Sequence, residues 1–208
     1  MQAQLVSVNV SPVKTVQHGT AHVTTAIYKT PVAGRVAVRG VNLAGDEQAD
    51  RAIHGGPNQV AYAYAEEDYA WWETQLNRPL PPGTFGENLT TRGLDVNGAA
   101  IGEQWRIGSC VFGVTGPRVP CSKLAMSVGD PAFVRTFARA LRPGAYLSVV
   151  EEGDVGTGDA VEVLRRPQHG LTIARMAEIY LFDHPSAAEL LAVAELPPDW
   201  RAWAQERS

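Results

Sequence analysis

The chain has 208 residues, of which 45% are hydrophobic and 19% charged, a balance that excludes a disordered chain and favours a globular core. Its formal net charge of −4 argues against a general nucleic-acid binder, because such proteins usually present a basic surface. The two cysteines, Cys110 and Cys121, are too few for a disulfide framework, so a reducing cytoplasm is the expected location. The sequence has no signal-peptide pattern and no apolar run near the ~18 residues that cross a bilayer, so neither export nor membrane insertion is expected.

Short segments of alternating apolar and polar residues, separated by turns rich in Gly and Pro, fill the chain from Leu5 to about Arg166. Such a series predicts a mainly β fold, arranged as a barrel or a folded sheet. Residues 104–115 predict one bent strand or a pair of strands, with Gly108 and Gly113 as bulges or a tight turn. The other predicted strands cover residues 5–10, 36–41, 58–65, 146–150 and 160–164.

Two helices are expected to interrupt these strands. Glu66, Glu67 and Asp68 place negative charge in the first turn of one helix, where the helix dipole favours acidic residues. Residues 130–141 carry apolar side chains at helical spacing and predict the other helix.

The pattern changes near residue 170, and residues 171–208 predict three short helices. Thr172 can cap the first helix, and Ser186 with Glu189 has the spacing of a capping box for the second. Pro197 and Pro198 are expected to begin the third. We therefore divide the chain into a β domain over residues 1–166 and a helical domain over residues 171–208. The helical domain is too short to bury a core alone and should pack on the β domain or on another subunit.

Cys121 stands out among the residues that could carry chemistry. Arg118 and Lys123 flank it, and nearby cations favour a thiolate, the form that attacks electrophiles or binds metals. The alternative is a buried structural cysteine, which residue type alone makes about equally plausible. The flanking cations favour the functional interpretation. Cys110 lies in an alternating strand segment without a neighbouring charge and is predicted to be a core residue.

Two glycine-containing segments are further candidates for a ligand site. In residues 46–58, Gly55 and Gly56 follow several acidic and amide residues and could let the backbone approach an anion, although composition alone favours an ordinary tight turn. In residues 83–89, Gly86 precedes Glu87 and Asn88 and could aim both side chains into a cleft. The alternative there is a glycine loop with a capping Asn.

Several familiar signatures are absent from the sequence. The cysteines are eleven residues apart, so no CxxC pair exists for zinc or redox chemistry, and no HExxH zinc motif occurs. The sequence also contains no GxSxG elbow, no Walker loop and no GxGxxG after a strand. The common hydrolase, kinase and dinucleotide-binding classes are therefore not indicated.

Four segments, in this order, resemble the MOSC family and specifically its YiiM-like branch. They cover residues 27–32, 45–64, 83–94 and 101–124. The last segment places Pro120-Cys121-Ser122-Lys123-Leu124 where the family carries its functional cysteine. The helical tail is also similar to the three-helix domain that closes YiiM-like chains. Each motif alone is weak, but the four in register make a specific signal over nearly the whole chain.

The resemblance implies a MOSC-type β-barrel with a few peripheral helices and a molybdenum cofactor, a molybdenum–pterin, in its cleft. Cys121 would be the thiolate ligand to molybdenum, a soft ligand suited to such a metal. Arg and Lys are natural partners for the pterin phosphate, and His, Asn and Glu residues would contact the cofactor or line its pocket. The residues that the resemblance assigns to cofactor binding are Lys29, Arg51, His54, Asn58, Glu87, Asn88, Arg118 and Lys123.

The activity implied by the resemblance is the reduction of N-hydroxylated compounds, with N-hydroxylated purine bases such as 6-hydroxylaminopurine as the characteristic substrates. Electrons would come from a separate reductase, because the sequence has no flavin, haem or iron–sulfur motif.

Two other functions are weighed against this one. In the first, the protein is a carrier that holds a persulfide on Cys121 or delivers the cofactor without turnover. In the second, it is a structural protein that does not use the thiol. We also expect a homodimer, because Leu190, Trp200 and Trp203 offer apolar surface that a small helical unit must cover.

Overall fold

A computed structural model describes residues 2–49 and 55–208, which contain thirteen strands, six α-helices and one 3₁₀-helix. The first strands are β1 Gln4–Val10, β2 Lys14–His18, β3 Ala21–Thr25, β4 Thr30–Pro31, β5 Arg35–Arg39, β6 Asn42–Leu43 and β7 Ala61–Ala65. The later strands are β8 Leu89–Arg92, β9 Gln104–Ile107, β10 Cys110–Pro117, β11 Ala145–Glu151, β12 Gly153–Gly156 and β13 Val161–Arg165. The α-helices are α1 Glu66–Leu76, α2 Ser122–Val128, α3 Phe133–Ala140, α4 Ile173–Phe182, α5 Ala188–Leu191 and α6 Pro198–Gln205, and the 3₁₀-helix is His184–Ala187.

Eight strands form the main sheet, in the order β13-β9-β10-β11-β7-β8-β1-β4. All of its neighbours pair antiparallel except β7 and β8, which are parallel and are connected through α1. Strands β12, β5 and β6 form a second sheet, and β2 with β3 forms a hairpin. The expected β-rich fold with a few helices is therefore confirmed.

Backbone hydrogen bonds bring the two ends of the main sheet together. The Leu5 N–H donates to Asp159 O and the Gly158 N–H donates to Leu5 O, each at 2.8 Å, and Gln4 forms an isolated bridge with Ala160. These bonds join β1 to the residues just before β13 without a regular ladder. The strand order remains that of an open sheet, so a closed barrel stays a prediction.

The segment 104–115 resolves into two strands rather than one bent strand. The hairpin β9–β10 turns at Gly108, whose φ of +59° lies in the left-handed region. A side chain there would meet Asp154 O at 2.5 Å, so both the backbone angle and the space require glycine. The register shifts of β10 lie between Val111 and Phe112 and between Val114 and Gly116, not at Gly113.

The helices largely follow the sequence prediction. Helix α1 begins at the acidic Glu66, and α4 begins after Thr172, whose Oγ1 accepts a hydrogen bond from the Arg175 N–H at 3.1 Å. The expected capping box was wrong. Ser186 lies in the 3₁₀-helix, α5 has no side-chain cap, and the Glu189 carboxylate instead accepts from Arg175 at 2.7 Å. The Arg175 guanidinium also pairs with Glu178 and Asp183, so Glu189 joins a charged network in place of a neutral cap.

Two hydrophobic clusters hold the described elements together. The larger lies beneath the main sheet and includes Trp105, Phe112, Met176 and Leu190, so the tail helices pack on the sheet as expected. The second is aromatic and joins β7, α1 and α3. The boundary between residues 166 and 171 stays a prediction, because sheet and tail share one core.

The apolar surface expected to drive dimerisation is largely used within the chain. Leu190 is fully buried, and Trp200 and Trp203 are half-buried against the larger core. The homodimer stays a prediction, but Leu190 cannot contribute to it. None of the helices in the described ranges is long and apolar enough to cross a bilayer.

Candidate functional site

A cleft opens between β7, the segment that joins β3 to β4 and the start of α2. Five residues that the sequence singled out line it: Lys29, Asn88, Arg118, Cys121 and Lys123. The loops from which they come are far apart in sequence, so their convergence supports a shared function.

Cys121 is the N-cap residue of α2 and lies in the short connection that follows β10. Strand β10 ends at Pro117, because proline has no N–H to continue the ladder, and the chain then turns so that Cys121 precedes the first helical residue, Ser122. The Cys121 side chain is half-buried and lines the cleft. Cys110, in contrast, is fully buried in the core, where burial raises the pKa of its thiol to about 11. The two thiols are therefore placed as predicted, one in a cleft and one in the core.

Arg118 is a buried cation that pairs with no carboxylate of the described residues. It is 6% exposed, its guanidinium lies 5.0 Å from the Tyr62 ring centroid, and its Nη1 is 3.5 Å from the Tyr146 hydroxyl. Its Nε donates to no acceptor in the described part of the chain, and no carboxylate there pairs with it. A buried, unpaired charge is costly, so this arrangement points to an external anion.

Lys29 differs from Arg118 because it has a counter-ion. Its ammonium pairs with Asp46, and both side chains are nearly buried. Burial lowers the pKa of Lys29, although the Asp46 carboxylate opposes that effect. Asp46 also accepts from the Ser11 N–H at 2.9 Å, which fixes it in the cleft wall. The sequence reading did not assign Asp46 to the site.

Asn88 lines the cleft and forms three hydrogen bonds with residues around it. Its Nδ2 donates to Asp46 at 2.9 Å and to Asn9 O at 3.2 Å, while its Oδ1 accepts from the Tyr62 N–H at 3.2 Å. These bonds use its donors and one acceptor position within the protein. The structure therefore gives Asn88 a role in holding β7, β1 and Asp46 together.

Glu87 does not line the cleft, contrary to the expectation. It is fully buried beneath it, and its Oε1 accepts from the Tyr69 hydroxyl and the Gly83 N–H, both at 2.6 Å, and from the Thr90 hydroxyl at 2.8 Å. Successive residues of an extended segment face opposite sides, so Asn88 reaches the cleft and Glu87 points inward. Burial raises the pKa of Glu87, and its Oε2 has no hydrogen-bond partner among the described residues.

Asn58 lies in a neighbouring groove rather than in the cleft, so the expected direct contact with a cofactor is not supported by its position. Thr115 donates to the Asn58 carbonyl oxygen at 2.6 Å and holds it beside β10. Gln59 and Tyr146 line both the cleft and this groove, so the two spaces adjoin.

Two predicted site residues, Arg51 and His54, lie outside the described residues. Gly55, next to them, lines the cleft with a φ of +128°. Its N–H donates to Gln59 Oε1 at 3.1 Å, which supports the tight-turn interpretation over an anion nest for this group. A side chain at Gly55 would meet Gln48 Oε1 at 2.3 Å.

Two tyrosines complete the cleft wall and were not predicted. Tyr62 on β7 and Tyr146 on β11 are register partners with ring centroids 5.4 Å apart, and both rings flank Arg118. Burial raises the pKa of both phenols, so both remain protonated near neutral pH. The alternating residues of β7 predicted a strand, but the sequence did not indicate which face of that strand lines a ligand site.

The cleft supplies few protein ligands for a metal. Over residues 2–49 and 55–208, no three His, Cys, Asp or Glu side chains are grouped so that they could hold an ion. Cys121 is the soft donor in the cleft wall. A metal at this position would need other ligands from a molecule bound with it.

Comparison with known proteins shows the family to which the chain belongs. The family model for the MOSC domain matches residues 50–162. The chain is 34% identical to the Uncharacterized protein YflK of Bacillus subtilis, covering 95% of this chain and 91% of that protein. It is 30% identical to Protein YiiM of Escherichia coli, with 88% and 84% covered. The crystal structure of YiiM from Geobacillus stearothermophilus superposes with a TM-score of 0.81 at 31% identity, over 99% of this chain and 98% of that one.

A fungal protein is more distantly related. The protein named Reductase from Gibberella moniliformis is 29% identical over 84% of this chain, and the match covers 32% of that longer protein.

Proposed function

The chain belongs to the MOSC family as a YiiM-like member, and from this we propose that it is a molybdenum-cofactor-dependent reductase of N-hydroxylated compounds. The proposed substrates are N-hydroxylated purine bases such as 6-hydroxylaminopurine. A reductase-named relative is consistent with redox chemistry in this family. We further propose that the protein acts in the cytoplasm and receives electrons from a separate reductase.

The residues of the cleft fit a molybdenum–pterin. Such a cofactor combines a metal that accepts soft ligands with an anionic phosphate, and the cleft combines the Cys121 thiol with the cations Arg118, Lys123 and Lys29. In the proposal Cys121 binds the metal, and Arg118 and Lys123 face the anionic groups. Arg51 and His54 are retained as proposed cofactor contacts on the resemblance alone.

The observation that carries the proposal is the buried Arg118 in the same cleft as Cys121. Its Nε lacks a partner among the described residues, and a guanidinium prefers two acceptor oxygens of one anion. A core cysteine or a plain structural cleft would not need this arrangement. A bound anion would stabilise the charge and place its own donor atoms near the thiol.

The net reaction converts R–NHOH, two electrons and two protons into R–NH₂ and water. When bound, the cofactor would supply the redox chemistry of this reaction. The protein's own groups hold the anionic cofactor, exclude water and keep protons available. The Tyr146 and Lys29 side chains line the cleft with Cys121 and are the proposed proton donors.

Metal analysis tests this proposal. The protein is expressed in a cofactor-competent host fed with molybdate, and molybdenum is measured in the wild type, in Cys121→Ser and in Cys110→Ala. We expect near-stoichiometric molybdenum in the wild type and in Cys110→Ala, and its loss in Cys121→Ser. Unchanged molybdenum in Cys121→Ser would remove the thiol from its proposed role.

The carrier function is separated from the reductase function by turnover. The loaded wild type should reduce 6-hydroxylaminopurine with an artificial electron donor. A loaded protein without turnover, with an extra sulfur on Cys121 by mass spectrometry, would support the carrier instead.

A further inference from the structure

A second groove adjoins the cleft. It has a volume of about 750 Å³ and lies between the sheet strands β10 and β11 and the tail helices α4 and α6. Its wall residues are Asn58, Gln59, Thr115, Gly116, Val119, Tyr146, Tyr180, Pro197, Asp199, Trp200 and Trp203.

Three aromatic rings from the tail form one wall of this groove. The Tyr180 ring lies 5.1 Å from Trp200 at 80° and 5.0 Å from Trp203 at 45°. All three side chains are half-buried, so part of each ring faces the groove. Trp200 also lies directly over Gly116, where a side chain would meet its Nε1 at 2.8 Å. Rings held in this way present rigid apolar faces on which a planar ligand can stack.

The polar side chains of the groove are neutral amides and hydroxyls and one carboxylate. The Asn58 side-chain amide makes no hydrogen bond to the described residues, although its backbone is fixed by Thr115. Asp199 is exposed at the rim. No Lys or Arg belongs to the described lining of the groove, whereas Lys29, Arg118 and Lys123 line the cleft. The cleft therefore suits an anion, and the groove suits an uncharged molecule with hydrogen-bonding edges.

The groove and the cleft meet at Tyr146 and Gln59, which line both. The Tyr146 hydroxyl lies 3.5 Å from Arg118 Nη1, on the cleft side. A ligand lying in the groove would therefore lie beside Tyr146, which also lines the cleft that contains Cys121. This contiguity distinguishes the groove from a remote surface pocket.

We propose that the groove binds the substrate as a planar, uncharged nitrogen heterocycle, with its ring against Trp200, its edge on the Asn58 amide and its N–OH group directed past Tyr146 into the cleft. The identity of the reacting group rests on the proposed function. The recognition of a flat heterocycle rests on the groove itself.

Nuclear magnetic resonance of the cofactor-free protein tests this without turnover, using adenine as the probe. The five indole N–H signals are recorded with ¹⁵N labelling and assigned by single Trp→Phe variants. We expect adenine to shift the signals of Trp200 and Trp203. Trp72 and Trp105 are internal controls, because both are fully buried and donate to Tyr64 at 2.7 Å and Glu103 at 2.8 Å. Unmoved tail indoles at millimolar adenine would overturn the proposal.

A pair of matched variants adds a kinetic readout. Trp200→Leu removes the stacking ring, and Trp71→Leu removes another half-buried indole, in the second cluster. We expect Trp200→Leu to raise KM for 6-hydroxylaminopurine about tenfold, in line with stacking on one aromatic ring, with unchanged molybdenum content. Trp71→Leu should leave KM unchanged. Asn58→Ala, which removes no core packing, should raise KM about threefold and serves if Trp200→Leu does not fold.

The outcomes separate this inference from the proposed function. If the wild-type protein contains no molybdenum, the proposed function is contradicted. Adenine-induced shifts of the Trp200 and Trp203 signals would then still support ligand binding in the groove. A loaded, active protein with wild-type KM in both Trp200→Leu and Asn58→Ala contradicts the groove alone. Self-association that buries Trp200 and Trp203 and blocks the adenine shifts would also overturn it, in favour of a dimer contact.

Discussion

Arg118 is the residue on which the proposed ligand site depends most. Its guanidinium is buried between two tyrosine rings, and no carboxylate in the described part of the chain neutralises it. Lys29, at the other side of the cleft, has Asp46 as its counter-ion. Among the described residues of the cleft, Lys29 therefore has a carboxylate partner and Arg118 has none, which leaves Arg118 available to a ligand.

Arg118→Met should separate stability from binding. Replacing an unpaired buried charge with an apolar side chain of similar length should leave the free energy of unfolding of the cofactor-free protein unchanged or raise it by up to ~2 kcal/mol. Cofactor retention should fall by about tenfold or more, as the charged hydrogen bonds are lost. Thermal unfolding and metal content are the two measurements. Arg92→Met, at an exposed ion pair with Glu66, is the control and should change neither by much. A strongly destabilised Arg118→Met with normal cofactor content would contradict this role.

Glu87 predicts a pH dependence of stability. Burial raises the pKa of its carboxyl above 4.5 in the folded protein, so the folded state binds this proton more tightly than the unfolded state. Its contribution to stability is therefore complete below pH 4.5 and is lost as pH rises through the folded-state pKa. In Glu87→Gln, this loss should disappear, and the free energy of unfolding should vary less with pH above 4.5. Urea unfolding across that range measures it. Equal slopes in both proteins would show that Glu87 does not titrate as argued.

At the scale of elements, β10 organises the site. It ends at Pro117 just before Arg118 and Cys121, and its Thr115 and Gly116 face the groove. Helix α4 packs against this strand, and α6 places Trp200 on Gly116. The cleft and the groove thus both depend on β10 and on the helices α4 and α6 that pack against it.

Gly116→Ala tests this dependence. The added methyl group would meet the Trp200 indole at 2.8 Å, so the ring must shift, and we expect a loss of about 1–3 kcal/mol in the free energy of unfolding. Gly113→Ala, on the same strand, is the matched control, because its nearest neighbour is the Ser148 hydroxyl at 3.0 Å, which can rotate. Chemical denaturation of both variants provides the comparison. Equal stabilities would mean that Trp200 does not pack on Gly116.

Much of the element plan could be predicted from sequence, for definite reasons. Acidic residues before Trp71 and the Thr172 cap locate α1 and α4, since both signals are local. Helix α2 was missed because its seven residues are too few for periodicity. The hairpin β2–β3 was missed because its residues are mostly exposed and lack a buried face.

The site was harder to predict than the elements. Cys121, Arg118 and Lys123 were found because they are neighbours in sequence, and Lys29 through the family resemblance. Asp46 and Tyr146 were missed because their importance comes from long-range packing around Arg118 and Lys29. Glu87 was misplaced because its direction depends on the local register, and Asn58 because a second groove could not be foreseen.

At the scale of the whole molecule, two adjoining spaces differ in charge. The described lining of the cleft contains a thiol, three cations and two carboxylates, whereas that of the groove contains aromatic rings, amides, hydroxyls and one carboxylate. The β-sheet supplies most of the cleft, while the tail helices supply the aromatic wall of the groove. The tail helices that supply this wall pack on the sheet through a shared core.

The central claim is that the Cys121 sulfur binds molybdenum in the cleft. X-ray absorption at the molybdenum edge measures the number of sulfur atoms around the metal in the loaded protein. We predict one sulfur fewer in Cys121→Ser, after reconstitution with an excess of the cofactor, than in the wild type, with the count unchanged in Cys110→Ala. The same number of sulfur ligands in all three proteins would contradict the account.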